Sequence, residues 1–178
     1  MKLIRLISFL AIMFTFAFVE NASASDIAIV NIKKIVDESS AAKNIAEQVE
    51  EKRSKFQAEV AGKEEKLHKE DKALAEQRAV LSKEVFEQKA KEFRSRVIDA
   101  QRNVQSRRAQ LEKAYRKALE QVRNQTIEII KDLSNKKNFS VALPKSQVLF
   151  SKDSMDISAE VLKQLNDKLP KVALVIED

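Results

Sequence analysis

The chain has 178 residues, with 33 Lys and Arg against 27 Asp and Glu, one His, one Gly, two Pro and no Cys. A single glycine excludes glycine-rich phosphate loops, which need close backbone approach to the phosphate. One histidine without cysteine excludes HExxH and cysteine-rich zinc sites, and no disulfide can support the fold.

In chain order, Lys2 and Arg5 precede an uncharged, mostly apolar run from Leu6 to Val19, followed by the small-residue site Ala22-Ser23-Ala24. This pattern predicts a signal peptide over 1–24, cleaved between Ala24 and Ser25, and hence an exported chain. An uncleaved anchor is the competing reading, but the run is short for a span of about 20 residues. No cysteine stands at the cleavage site to carry a lipid.

Residues 26–36 read as a strand, with Ile27, Ile29 and Ile35 on one face. Asp37-Glu38-Ser39-Ser40 then offers N-cap candidates and early acidic residues. From there to Phe139 the chain contains no proline and only Gly62, amid dense Lys, Arg, Glu, Gln and Ala. Such composition favours helix. Ile45, Val49, Phe56, Val60, Leu67, Leu74 and Leu81 recur at steps of four and seven, the narrow stripe of a coiled-coil seam.

Leu81-Ser82-Lys83-Glu84 is the expected tip, with Ser82 capping a second helix. That helix carries Phe86, Phe93, Val97, Val104, Leu111, Tyr115, Val122, Ile129 and Leu133. Phe93, Val104 and Tyr115 repeat at eleven, a period of nearly straight winding. One unbroken helix over 40–137 would instead run roughly 145 Å.

Asn138 ends the second helix. Phe139–Leu143 and Val148–Phe150 read as strands around a Pro144-Lys145-Ser146 turn. A short helix over 156–169 opens at Asp156 and stops at Pro170. Val172–Ile176 reads as an extra strand or a loose tail.

The expected fold is α+β: a long antiparallel helical hairpin (38–137) on a small β-rich body (25–37 and 138–178). Without the arm, residues 25–36 and 138–178 count only 53. That is too few for a self-sufficient core, so the body is expected to associate through Ile27, Ile29, Val141, Leu143, Val148 and Leu162.

No catalytic constellation appears, and no enzyme, cofactor or metal is expected. His68 reads as a solvated or seam-edge residue, and Glu50-Glu51 and Glu64-Glu65 as a solvated face. Charge is unequal between the arms: residues 37–82 carry a net −2 and residues 83–137 a net +7. Arg94, Arg96, Arg102, Arg107 and Arg108 lie in the densest stretch. They serve arm-to-arm pairing or form a positive surface that a cavity would focus. Leu81, Val85, Phe86 and Phe93 pack the tip or offer an apolar surface to a partner.

Several of these segments together resemble the Skp/OmpH-like family of periplasmic chaperones over nearly the whole mature length. The resemblance rests on Ile27-Ala-Ile-Val-Asn-Ile-Lys-Lys-Ile-Val36 leading into Ser39-Ser-Ala-Ala-Lys43, and on Leu81-Ser-Lys-Glu84. Its most specific part is Val148-Leu-Phe-Ser151 followed by Asp156-Ile-Ser-Ala-Glu-Val-Leu-Lys163. Asn31 stands where relatives often have Asp, and the chain continues past the usual end with 170–178.

The resemblance implies a periplasmic homotrimer whose hairpins surround a cavity and hold unfolded outer-membrane β-barrel precursors without nucleotide. It also leaves lipopolysaccharide or an anionic membrane surface as a partner. The rivals are a structural coiled-coil spacer of the envelope and a basic, non-specific nucleic-acid binder. Export argues against nucleic acid.

Overall fold

The computed structural model describes residues 27–177; the expected signal peptide and cleavage site lie outside the described residues. In chain order come β1 (Ile27–Val30), α1 (Ile32–Glu38), α2 (Ser40–Gln77), α3 (Lys83–Lys137), β2 (Val141–Pro144) and α4 (Ser158–Lys168). Single 3₁₀ turns occupy Lys145–Gln147 and Asp153–Met155.

The hairpin is built by its caps. Ser39 starts α2, its hydroxyl accepting from Ala42 N at 3.1 Å and donating to Val36 O at 2.8 Å while wholly buried. Ser82 starts α3, its hydroxyl facing Val85 N at 3.5 Å, and Glu84 lies in that first turn. Asn138 ends α3 in the left-handed region at φ 57 and ψ 47, a conformation Asn tolerates better than most residues. The chain therefore reverses at 78–82, and the unbroken helix is excluded. At 1.5 Å per residue, the 38 residues of α2 and 55 of α3 span about 57 and 82 Å.

Replacing Ser39 by Ala removes a cap and leaves Val36 O without the serine hydroxyl. The expected cost is about 1–2 kcal/mol, read from urea unfolding of the purified chain. An unchanged midpoint would mean that this junction contributes nothing to stability.

The body departs from the expected run of strands. β1 stops at Val30 and the chain turns at once into α1. Asn31 explains the turn: its side chain accepts from Lys34 N at 3.1 Å, while its own N–H donates to Ser158 Oγ at 2.8 Å. The expected strand over 26–36 is thus a four-residue strand and a helix, and Ile35 is buried from the helix. Asp37 and Glu38 close α1 instead of opening α2.

β1 and β2 pair in parallel, with Ile27 opposite Val141 and Val30 opposite Pro144. Parallel strands need a long crossover, and here the whole hairpin supplies it. On its other side β1 meets Asp156 by a single parallel bridge, and Ile157 N donates to Ile29 O at 3.0 Å. Val148–Phe150 is not a strand within this chain. Leu149 and Phe150 stand 107% and 84% exposed.

The core joins the body to the arm roots. Ile35, Ile45, Val122, Ile129, Leu133, Val161 and Leu165 are all within 1% of complete burial. On α3 the buried row runs Ala114, Ala118, Val122, Thr126, Ile129 and Leu133, steps of three and four on one helix face. Thr126, the one polar member, donates to Val122 O at 2.8 Å. The helix roots lend the body a core inside one chain.

Lys145, Asp156 and Ser158 lock the last helix to the sheet. Asp156 accepts from Lys145 Nζ at 2.6 Å and from Ser158 N at 2.9 Å. Burial pushes the Asp156 carboxyl up, but hydrogen bonds from Lys145 and from the Ser158 hydroxyl and amide outweigh it and hold it at about 2. The folded value lies below the ordinary 3.8, so the unfolded chain takes up the proton first. This contribution is complete above pH 3.8 and is lost as pH falls toward 2. Asp156→Asn should flatten that part of a stability-versus-pH curve; an unchanged slope would remove Asp156 as its source.

Candidate functional site

The arm carries the residues singled out in the sequence, and its seam decides what each can do. On α2, Val49, Phe56, Val60, Leu67 and Leu74 are half-buried, as are Phe86, Phe93, Val97, Val104 and Leu111 on α3. A two-helix seam shields each apolar side chain on one flank only, so full burial is confined to the root. The reversal at 78–82 overlaps the expected tip at 81–84.

The basic residues divide into two groups. Arg96 pairs with Glu70 of α2 at 3.1 Å, and Arg107 with Glu59 at 2.7 Å. Arg107 also stands 5.7 Å from the ring centre of Phe56, a cation–π distance. These two hold the arms to each other. Among the described residues Arg102 pairs only with Asp99 on its own helix, at 3.9 Å. Arg94 and Arg108 are exposed and form no ion pair among the described residues. Pairing between the arms thus accounts for Arg96 and Arg107, and not for Arg94, Arg102 or Arg108.

At the tip, Arg78 lies 6.0 Å from the centre of the Phe86 ring. Leu81, Phe86 and Phe93 are half-buried, and Val85 is 44% exposed. Val80, which the sequence reading passed over, is 80% exposed. It lies between the two helices, where the periodic stripe carries no information.

Nearer the body a groove of about 1050 Å³ runs along the seam between the arms. Val49, Phe56, Val60, Leu111 and Tyr115 supply its apolar lining, with Arg53, Arg107 and Arg108 at its edges. Among the described residues no group of three or more His, Asp or Glu could hold a metal ion.

The residues expected to mediate association are also divided. Ile29 is covered by its own chain, at 2% exposure. Val148 and Leu162 are half-buried. Ile27 of β1 and Val141 and Leu143 of β2 are 38–45% exposed, and β2 pairs only with β1 among the described residues.

The 171–177 segment is neither a strand nor loose. Val172 and Leu174 are buried against the arm roots, and Glu177 bridges Lys113 and Lys117 of α3 at 2.9 and 2.5 Å. Lys117 and then Lys113 hold the Glu177 carboxyl down to about 2. In the sequence, the continuous apolar run Val172–Ile176 does not distinguish the residues that become buried from those that face outward.

The outer membrane protein (OmpH-like) family profile matches residues 26–165. No curated protein matches the chain. Among solved structures, a candidate OmpH-like outer membrane chaperone from Caulobacter crescentus superposes with a TM-score of 0.79 at 23% identity, covering 86% of this chain and 90% of that one. The likeness to that structure is one of fold.

Proposed function

We propose that this chain, which belongs to the outer membrane protein (OmpH-like) family, is a periplasmic holdase that keeps unfolded outer-membrane β-barrel precursors soluble without ATP. The observation that carries the proposal is the arm itself. A long hairpin displays half-buried apolar side chains along its seam, beside a helix whose segment carries a net +7. Apolar spots of this kind offer many weak, sequence-tolerant contacts, and exposed Arg94, Arg102 and Arg108 draw an acidic client toward them. Contacts spread in this way keep a chain soluble without imposing a structure on it. Release follows from the greater stability of the client once folded in its membrane.

The cavity is completed by association. The exposed β2 edge carries Val141 and Leu143, and Leu149-Phe150 stands free beside the body. Unpaired apolar strand edges are templates for another chain. In this reading three copies join there, and three hairpins enclose one client. The same positive surplus would attract an anionic membrane surface or lipopolysaccharide.

Light scattering of an unfolded barrel precursor diluted from denaturant, with and without the purified mature chain, tests the function. Native mass measurement of the mixture reports the stoichiometry. Suppression of aggregation without nucleotide, in a complex of three copies and one precursor, is the expected result. Unaltered aggregation at excess protein would rule out the holdase and leave an envelope spacer.

A further inference from the structure

The 171–177 segment sits on the arms as a bound peptide would. Gln48 of α2 accepts from Leu174 N at 2.9 Å and donates to Val172 O at 2.7 Å. Those are the two bonds that one residue of a parallel neighbouring strand makes around Ala173. A side-chain amide thus stands in for a strand, and it is aimed by a further bond to Asn44 Oδ1 at 2.8 Å.

Side chains alternate across this contact. Val172 and Leu174 are buried and Ile176 lines the inter-arm groove, whereas Lys171, Ala173 and Val175 face outward. Glu177 then meets Lys113 and Lys117 of α3. The segment therefore touches both arm helices, through backbone bonds, alternate apolar side chains and one carboxylate.

We infer that residues 171–177 are the self-bound occupant of a docking site for extended chain segments with apolar side chains at alternate positions followed by an acidic residue. The inference rests on the chaperone reading, because such segments are what an unfolded β-barrel chain supplies. Recognition is tolerant of sequence, since Gln48 reads only backbone and the root of the groove accepts aliphatic side chains of different size. The strap closes the site until a client displaces it. From Ile176 the groove continues between Phe56, Leu111 and Tyr115, so a longer segment gains contacts that the strap does not make. That difference is what lets a client win.

Fluorescence anisotropy with a labelled synthetic peptide of residues 171–177 tests this. The proteins compared are the full chain and a chain ended after Pro170. An intramolecular competitor lowers apparent affinity by the fraction of time the site is open. The shortened chain is therefore expected to bind the peptide about tenfold or more tightly than the full chain. Gln48→Ala in the shortened chain should abolish that gain, and an unfolded barrel precursor should compete the peptide off.

Val172 and Leu174 belong to the core, so Leu174→Ala in the full chain serves as a second, milder opening of the strap. Its peptide affinity should rise in the same direction. A shortened chain that keeps its circular dichroism spectrum but leaves the peptide unbound would overturn the inference, as would a precursor that does not compete. Aggregation suppression by the full chain is scored separately. Its failure removes the chaperone reading, whereas intact suppression without peptide binding removes only the strap site.

Discussion

Replacing Arg94, Arg102 and Arg108 together by Glu slows capture of an unfolded barrel precursor at low salt and leaves the body folded. The three reversals take residues 83–137 from a net +7 to +1. Electrostatic steering raises association rates by about 10–10³-fold, so the expected loss is about tenfold or more in the capture rate. Arg107 is left out of this variant for a structural reason. It pairs with Glu59 and lies over Phe56, so Arg107→Glu would set two carboxylates against each other and loosen the arms.

Adding Arg107→Glu as a fourth change therefore separates steering from arm geometry. Raised salt should slow the unaltered protein toward the rate of the triple variant, because screening shortens the reach of exposed charge to about 8 Å at physiological ionic strength. Binding that survives high salt should come from the apolar surface around Val80, Val85, Phe86 and Phe93. Stopped-flow light scattering across a salt series makes the measurement. Equal capture rates for the triple variant and the parent at low salt would reduce the positive surplus to a solvated face.

Leu165→Asp unfolds the body. Leu165 is fully buried on α4 with Val161, against the cluster that holds Val122, Ile129 and Leu133. A carboxylate there has no partner, and an uncompensated buried charge costs several kcal/mol out of a typical total of about 5–15. The roots of α2 and α3 lose their packing at the same time, so much of the arm's helicity should go with it. A narrow, half-buried seam stabilises little alone.

Leu162→Asp is the informative companion. Leu162 is only half-buried at the rim of the same cluster, so its replacement should leave a folded chain and impair association. Circular dichroism and size-exclusion chromatography distinguish the two outcomes. A native spectrum for Leu165→Asp would mean that the body does not depend on this core. Full assembly by Leu162→Asp would remove that residue from the association surface.

Local rules carried the arm. The stripe from Ile45 to Leu81 and its continuation on α3 are periodic over dozens of residues, and repetition of that kind identifies a helix without reference to its partner. Ser39, Ser82 and Asn138 act within a few residues of themselves, through their own side chains or backbone, so the ends and the tip were legible too. Net charge is additive and was equally visible.

What was not legible has one physical cause. The short apolar runs at 26–36, 148–150 and 172–176 are too brief for periodicity to separate strand, helix and extended chain. Groups far away along the chain bear on two of them: Ser158 accepts from Asn31 N at the end of β1, Asp156 edges β1, and Gln48 holds Val172 and Leu174. Which arginines pair and which stand free likewise depends on the register of α2 against α3, seen in Glu59–Arg107 and Glu70–Arg96. By itself the sequence determined a long, basic helical hairpin with a defined tip. Tertiary structure alone decided how the body is built, because contacts that close over more than a hundred residues leave no local trace in the residues that make them.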